Sequence, residues 1–303
     1  MLSVVRRVFY GGVCWLGLWY DNDMQILFLV MMFLVGAALG SFLCCQAWRL
    51  KLSQKKTKKD WLGKRSVCLS CHKQLKWYDN IPIISWVLLR GKCRFCKKKI
   101  GASEIVAELL VGIIFLAFGI VFINNGFLNN TAVGGMGNIS ILSWVTFAVF
   151  LVLSLILIFL SIYDGKWGEL PTIFLWIAIL LAVAFWVLVG FLYGFSMEYV
   201  WQTVGALAIL AGLYEFLYLL SKGRWIGDGD PMLCVALALG LGNVWLALFV
   251  LFMANMLGCL FYALKSIGKE KSKNKMIYFG PFLVAAFFFA LIFRTWFLSL
   301  IQF

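Results

Sequence analysis

Two sets of residues in this chain have the types and the spacing to do chemistry. The first is acidic. Asp228 and Asp230 sit in "IGDGDPML", flanked and separated by Gly227 and Gly229, followed by Pro231, with long apolar runs on both sides. Asp164 ends another apolar run, in "LSIYDGKWGELPT". An ionisable residue at a hydrocarbon boundary is a functional hypothesis by default. Other acid–base groups are scarce: His72 is the only histidine. Two carboxylates brought together in a half-buried site do not both ionise easily. One can then activate water while the other donates a proton to a carbonyl, which is peptide hydrolysis without a covalent intermediate. The glycines clear space for a substrate backbone. The same acids would also suit the proton relay of a transporter. Plainer roles exist as well: Asp164 as a solvated interfacial acid, and Asp228 as the cap of a helix starting near Pro231.

The second set is "CLSCHKQLKWYDNIPIISWVLLRGKCRFC". Cys68 and Cys71 form one CxxC pair, Cys93 and Cys96 another, 21 residues apart. Two such knuckles at this spacing point to a four-thiolate structural zinc site of the ribbon type. The alternative is a pair of disulfides, which a reducing cytoplasm disfavours. His72 follows Cys71 directly and reads as a bystander, because four thiolates already complete a tetrahedral site. "WYDNIP" should form a turn between the knuckles. Cys14, Cys44, Cys45, Cys234 and Cys259 lie in apolar segments and read as small hydrophobes.

The elements that hold these groups are membrane spans. Of 303 residues, 63% are hydrophobic and 13% charged, against about half and about a quarter in soluble domains. The chain reads as an all-α polytopic membrane protein. The net charge of +14 is concentrated: sixteen of the 27 Lys and Arg lie between Arg49 and Lys99, opposed only by Asp60 and Asp79. That marks a cytoplasmic loop under the positive-inside rule, its lysines facing anionic membrane lipid. The loop contains no nucleic-acid module, so nucleic acid is not an expected partner.

The expected layout is an N-terminal extension (1–23) of unassigned role, a first span (24–45), a cytoplasmic zinc-binding loop (46–103) and a transmembrane core (104–303). Further spans are expected at about 104–124, 141–163, 172–195 and 200–220, then a hairpin of two short helices over 231–264 turning at "GLGNV", then a span at 279–300. The total is about eight. The uncharged turn at 125–140 should face outward. The turns carrying Asp164 and Asp230, and "KSIGKEKSKNK" (265–275), should face the cytoplasm. Pro231 and Pro281 suit the first turns of helices.

Taken together, "GDGD" (227–230), the D-x6-P spacing of Asp164 and Pro171, "GSFLCC" (40–45), the cysteine stretch 65–96, Glu108 and "YFGPFL" (278–283) resemble the bacterial type IV prepilin peptidase family. The resemblance covers about residues 35–285. It implies a membrane aspartyl endopeptidase of the bacterial inner membrane. Such an enzyme removes the basic leader of prepilins and pseudopilins after glycine, on the cytoplasmic side. In bifunctional members it then methylates the new N-terminus with S-adenosylmethionine. By motif, the catalytic pair is Asp164 and Asp230, Asp228 fills a variable position, and Cys68, Cys71, Cys93 and Cys96 match the family's tetrad. The chain departs from the family pattern at Cys44, Leu69 and Thr172. None of these removes a catalytic group, and no residue is assigned to the methyl donor. A proton-coupled transporter and a pilus or secretion scaffold are the readings from other classes. The absence of internal repeats speaks against the first, and a scaffold would tolerate loss of either acid.

Overall fold

In a computed structural model, residues 2–54, 66–68, 70–71, 73–99, 101–124, 141–224, 226–266 and 278–301 are described. His72, Leu69, the turn 125–140 and the lysine-rich turn beyond Ser266 lie outside them. The described residues are helical except for turns and two isolated antiparallel bridges. Among the described residues six helices are long and apolar enough to cross a membrane: Asp23–Ser53, Glu104–Ile123, Ile141–Trp167, Thr172–Tyr193, Met197–Ser221 and Val244–Leu264. The chain forms two compact units. One comprises Met1–Phe42 with Lys59–Ser143, the other Leu43–Lys58 with Trp144–Phe303.

In the first unit, helix α1 (Leu2–Gln54) runs without a break through the expected extension and the expected first span. The glycine pair at 11–12 lies within this helix and does not end it. Helix α3 (Ala102–Asn124) lies against α1. A Cβ added at Gly36 would stand 2.8 Å from Cβ of Phe115, and one added at Gly40 would stand 2.9 Å from the Ala107 carbonyl oxygen. Gly36 and Gly40 thus form a small-xxx-small seam that lets two membrane helices approach backbone to backbone. Ala37, Val111, Phe115 and Phe118 are buried along it.

The cysteine module of this unit contains a 3-10 turn (Trp77–Asn80) and the short helix α2 (Ile84–Leu88). The expected turn at "WYDNIP" is present. Its anchor is Asp79, whose side chain is 2% exposed and pairs with Arg94 at 2.8 Å. The same carboxylate accepts the Lys76 N–H, and the Arg94 guanidinium lies over the Tyr78 ring. Glu108, on α3, accepts the N–H of Ile83 at 2.8 Å. Ile83 has φ 61, a strained conformation for a β-branched residue, so this hydrogen bond holds it where its own sterics would not.

The second unit contains α4 (Ile141–Trp167), α5 (Thr172–Tyr193), α6 (Met197–Leu207), a π-helical turn (Ala208–Gly212), α7 (Leu213–Ser221), α8 (Gly229–Leu241), α9 (Val244–Ser266), α10 (Gly280–Ile292) and α11 (Arg294–Ile301). The expected hairpin over 231–264 turns where "GLGNV" places it, at Gly242 in the left-handed conformation. Its two arms differ, however. Helix α9 has 23 residues, enough to span, and only α8, with 13, is short. At 1.5 Å per residue α8 covers about 20 Å of a roughly 30 Å hydrocarbon layer. It is buried almost all round, from Gly229 to Leu241, and packs against α5, α6 and α10, so protein rather than lipid surrounds it. The expected final span is broken too: α10 and α11 meet at 75°.

Candidate active site

Asp164 lies in the last turn of α4. Its side chain is buried, and one carboxylate oxygen, Oδ2, accepts the N–H of Gly280 at 3.0 Å. Gly280 opens α10, with Pro281 in the first turn as its fixed φ favours. A Cβ there would stand 2.7 Å from Oδ2 of Asp164, so any larger residue would have to displace that carboxylate. Asp230 is in the first turn of α8, and its Oδ2 accepts the Gly227 N–H at 3.3 Å. The two carboxylates, 66 positions apart in sequence, lie within electrostatic reach of each other. Each has one oxygen fixed by a backbone N–H, which leaves the other oxygen free to act.

Packing sets the two turns against one another. A Cβ added at Gly229 would stand 2.7 Å from Cβ of Leu170, so the turn following Asp164 and the turn carrying Asp230 are in close contact. The end of α4 is also clamped from α1. Lys51 pairs with Glu169 and lies over the Tyr163 ring, and Trp48 meets Trp167 edge-on at 5.2 Å. Tyr163 and Trp167, on either side of Asp164 in sequence, pack with their rings tilted by 52° and centroids 4.7 Å apart.

Asp228 behaves differently. It occupies the N-cap position of α8, but its side chain makes no capping hydrogen bond and is exposed. The capping role considered for it is not present. Of the three acids singled out by sequence, Asp164 and Asp230 each have one oxygen on a backbone N–H and lie within electrostatic reach of each other, whereas Asp228 is exposed and has no such tie, though its charge also reaches Asp230. The structure also gives a role to Gly280, which lies in the "YFGPFL" stretch that carried the resemblance but was assigned no function there, and whose contact with Asp164 spans 116 positions.

Gly280→Ala is expected to displace the Asp164 carboxylate and lower the activity of the site at least tenfold while the protein remains folded. Initial rates set beside thermal unfolding in detergent check this, because overpacking of one methyl costs about 1–3 kcal/mol.

The four paired cysteines converge. Their sulfurs all lie within 4.8 Å of one another, with Cys68 and Cys96 at 3.9 Å. A disulfide needs about 2.05 Å, and all four thiols are free. Four sulfurs each bonded at about 2.3 Å to one tetrahedral ion stand about 3.8 Å apart, so the cluster fits a single metal ion. Each knuckle is closed by an antiparallel bridge, Val67 with Gln74 and Lys92 with Lys99, and the wider strands of a full ribbon are not formed among the described residues.

The thiols differ electrostatically. Burial opposes ionisation of Cys93, but the N–H groups of Cys96 and Phe95 override it and lower its pKa to about 7. Around Cys71 the Lys73 N–H favours the thiolate, yet burial and the neighbouring thiols of Cys68 and Cys96 prevail and push it up to about 11.

Comparison with known proteins adds an independent line. Residues 34–122 match the model of the bacterial peptidase A24 N-terminal domain. The prepilin leader peptidase/N-methyltransferase of Neisseria gonorrhoeae is 30% identical over 73% of this chain and 68% of its own length. The proteins of the same name from Vibrio cholerae and Myxococcus xanthus are 34% and 40% identical, over 37% and 30% of this chain. Those two alignments span 45% and 26% of the relatives' own lengths. No solved structure matches.

Proposed function

Because the chain belongs to the prepilin leader peptidase/N-methyltransferase family, we propose that it is a membrane aspartyl endopeptidase acting on type IV prepilins or pseudopilins. It cleaves their basic leader after glycine at the cytoplasmic face of the bacterial inner membrane and then methylates the new N-terminus. The observation that carries the peptidase reading is the pairing of Asp164 with Asp230 from two separate turns, each with one oxygen tied to a backbone N–H. One carboxylate takes a proton from the attacking water. The other donates a proton to the scissile carbonyl, and the roles reverse as the amine leaves. Neither needs to move far, because backbone groups hold both.

The substrate fits this placement. A prepilin is itself an apolar helix with a polar leader, and the acids lie at the ends of apolar helices rather than at their middles. Gly227 is exposed beside Asp230, so an extended backbone can approach.

Zinc is the metal proposed for Cys68, Cys71, Cys93 and Cys96, in a closed and therefore structural site. S-adenosylmethionine supplies the methyl group when bound; no residue of this chain is assigned to it.

The direct test is mass spectrometry of a prepilin-like substrate after incubation with the purified protein in detergent. A leader ending in glycine, and a mature product heavier by one methyl when S-adenosylmethionine is present, are expected. An intact substrate would refute the peptidase assignment, and a cleaved but unmethylated product would refute only the second activity.

A further inference from the structure

Helix α2 turns an apolar face outward in the polar segment between the first two spans. Ile84, Val87 and Leu88 are 56%, 57% and 77% exposed. Their spacing puts them on one side of the helix. The helix contains no buried residue, so among the described residues nothing covers that side. Large apolar side chains gathered on an outer face mark a contact surface.

Two ties fix where this face lies. Ile83, the residue before α2, donates its N–H to Glu108 at 2.8 Å. Glu108 is one turn inside the apolar segment Glu104–Ile123 of α3, about 6 Å along the axis from Glu104. The second tie is the Trp86 ring, which lies against Gly91, where an added Cβ would stand 2.8 Å from it. Gly91 opens the second cysteine knuckle, which the Lys92–Lys99 bridge closes. Lys97, Lys98 and Lys99 of that knuckle are exposed, and α3 begins just after them, at Ala102. The lysines therefore stand at the entrance of the span, and α2 starts about one turn further in. That is the order of an interfacial helix, with cations at headgroup level and apolar side chains about 5–10 Å into the boundary with the acyl chains.

The charge selects the partner. Lys73, Arg90 and Lys92 are exposed as well. Asp79, the one acid between residues 66 and 99, is buried against Arg94. Such a surface is complementary to anionic phospholipid, which attracts clustered lysines and arginines beside a span. It repels the basic leader of a prepilin, and it repels a second copy of itself.

We propose that α2 is an interfacial anchor: Ile84, Val87 and Leu88 insert into an anionic leaflet beside α3, and the surrounding cations rest on its phosphates. The cysteine module then lies on the bilayer instead of projecting from it. This goes beyond the peptidase reading and stands or falls without it.

The full chain in nanodiscs, with an environment-sensitive fluorescent amino acid placed at position 88 or separately at position 98, tests the anchor. In discs of phosphatidylglycerol brominated on its acyl chains, the probe at 88 should lose at least about half of its emission and the probe at 98 less than about a fifth. Phosphatidylcholine carrying the same bromines should quench position 88 at least about twofold less. Leu88→Asp should free a probe at position 84 from quenching and leave thermal unfolding unchanged, because Leu88 is exposed. An unquenched probe at 88 with the emission of a water-exposed dye overturns the proposal. Equal quenching in the two lipids overturns the assignment to an anionic surface. A probe at 88 that becomes shielded only when a prepilin is added, or only when discs hold two copies of the chain, gives the face to a protein and overturns the proposal as well.

Discussion

Asparagine at position 230 or at position 164 is expected to reduce leader cleavage at least about a thousandfold, while Asp228→Ala stays within about threefold of the parent. The first two substitutions keep shape and keep an oxygen that can accept the N–H of Gly227 or Gly280. They leave the local fold in place and remove only the proton chemistry. A single positioned acid or base contributes about 10²–10⁴ in rate, and here one acid cannot substitute for the other because each is held by its own turn. Asp228 is exposed and caps nothing, so its loss removes no proton-transfer group, only an exposed charge near Asp230. Initial rates of leader removal, measured with all three variants at matched folded concentration, decide the matter. An Asp228→Ala variant as inactive as Asp230→Asn would overturn the assignment within the motif. Either asparagine variant retaining a tenth of parental activity would mean the carboxylates are not the proton-transfer pair, and full retention would favour a scaffold.

What could be read from the sequence, and what could not, follows from the range of the interactions. Asp164 and Asp230 were legible because a charge at the end of an apolar run is conspicuous whatever its neighbours. The cysteine knuckles were legible because each is a local device, closed within eight residues by its own bridge. The continuity of α1 was not, because Gly11, Gly12 and the acids at 21 and 23 look like an interruption while nothing local forces one. The unequal arms of the 231–264 hairpin were hidden for another reason. Helix α8 is short yet surrounded by protein, and hydropathy does not distinguish a neighbour of protein from one of lipid. The role of Gly280 was not legible, although "YFGPFL" drew attention, because its contact with Asp164 exists only across a long separation and a glycine before a proline reads locally as a helix start. The small-xxx-small seam of Gly36 and Gly40 was in plain view, but its meaning depends on α3 lying opposite.

Removing the metal is expected to unfold the cysteine module and leave the aspartyl centre standing. The purified protein should hold about one zinc per chain. A strong chelator under reducing conditions should remove it, raise the number of reactive thiols by four and open residues 66–99 to protease. The reasoning is energetic. Between the knuckles lie one 3-10 turn and the five-residue α2, which contains no buried residue, so the module has little apolar core of its own. Among the described residues its side-chain ties include the Asp79–Arg94 pair and the Glu108–Ile83 hydrogen bond, together worth a few kcal/mol at most. A structural zinc supplies about 10–16 kcal/mol in comparable small modules. Asp164 and Asp230 are both held within the other unit, by contacts that involve no cysteine of the cluster. Cleavage should therefore survive chelation to within about tenfold. Methylation, if it depends on the N-terminal region that matches the family model, should be lost, as it should in Cys93→Ser. Cobalt returned to the stripped protein should give the absorption of a tetrahedral thiolate complex and restore protease resistance. Thiols that stay protected without any metal, or a mass two hydrogens lower for each cysteine pair, would show disulfides in place of a metal site and sink this account of the module.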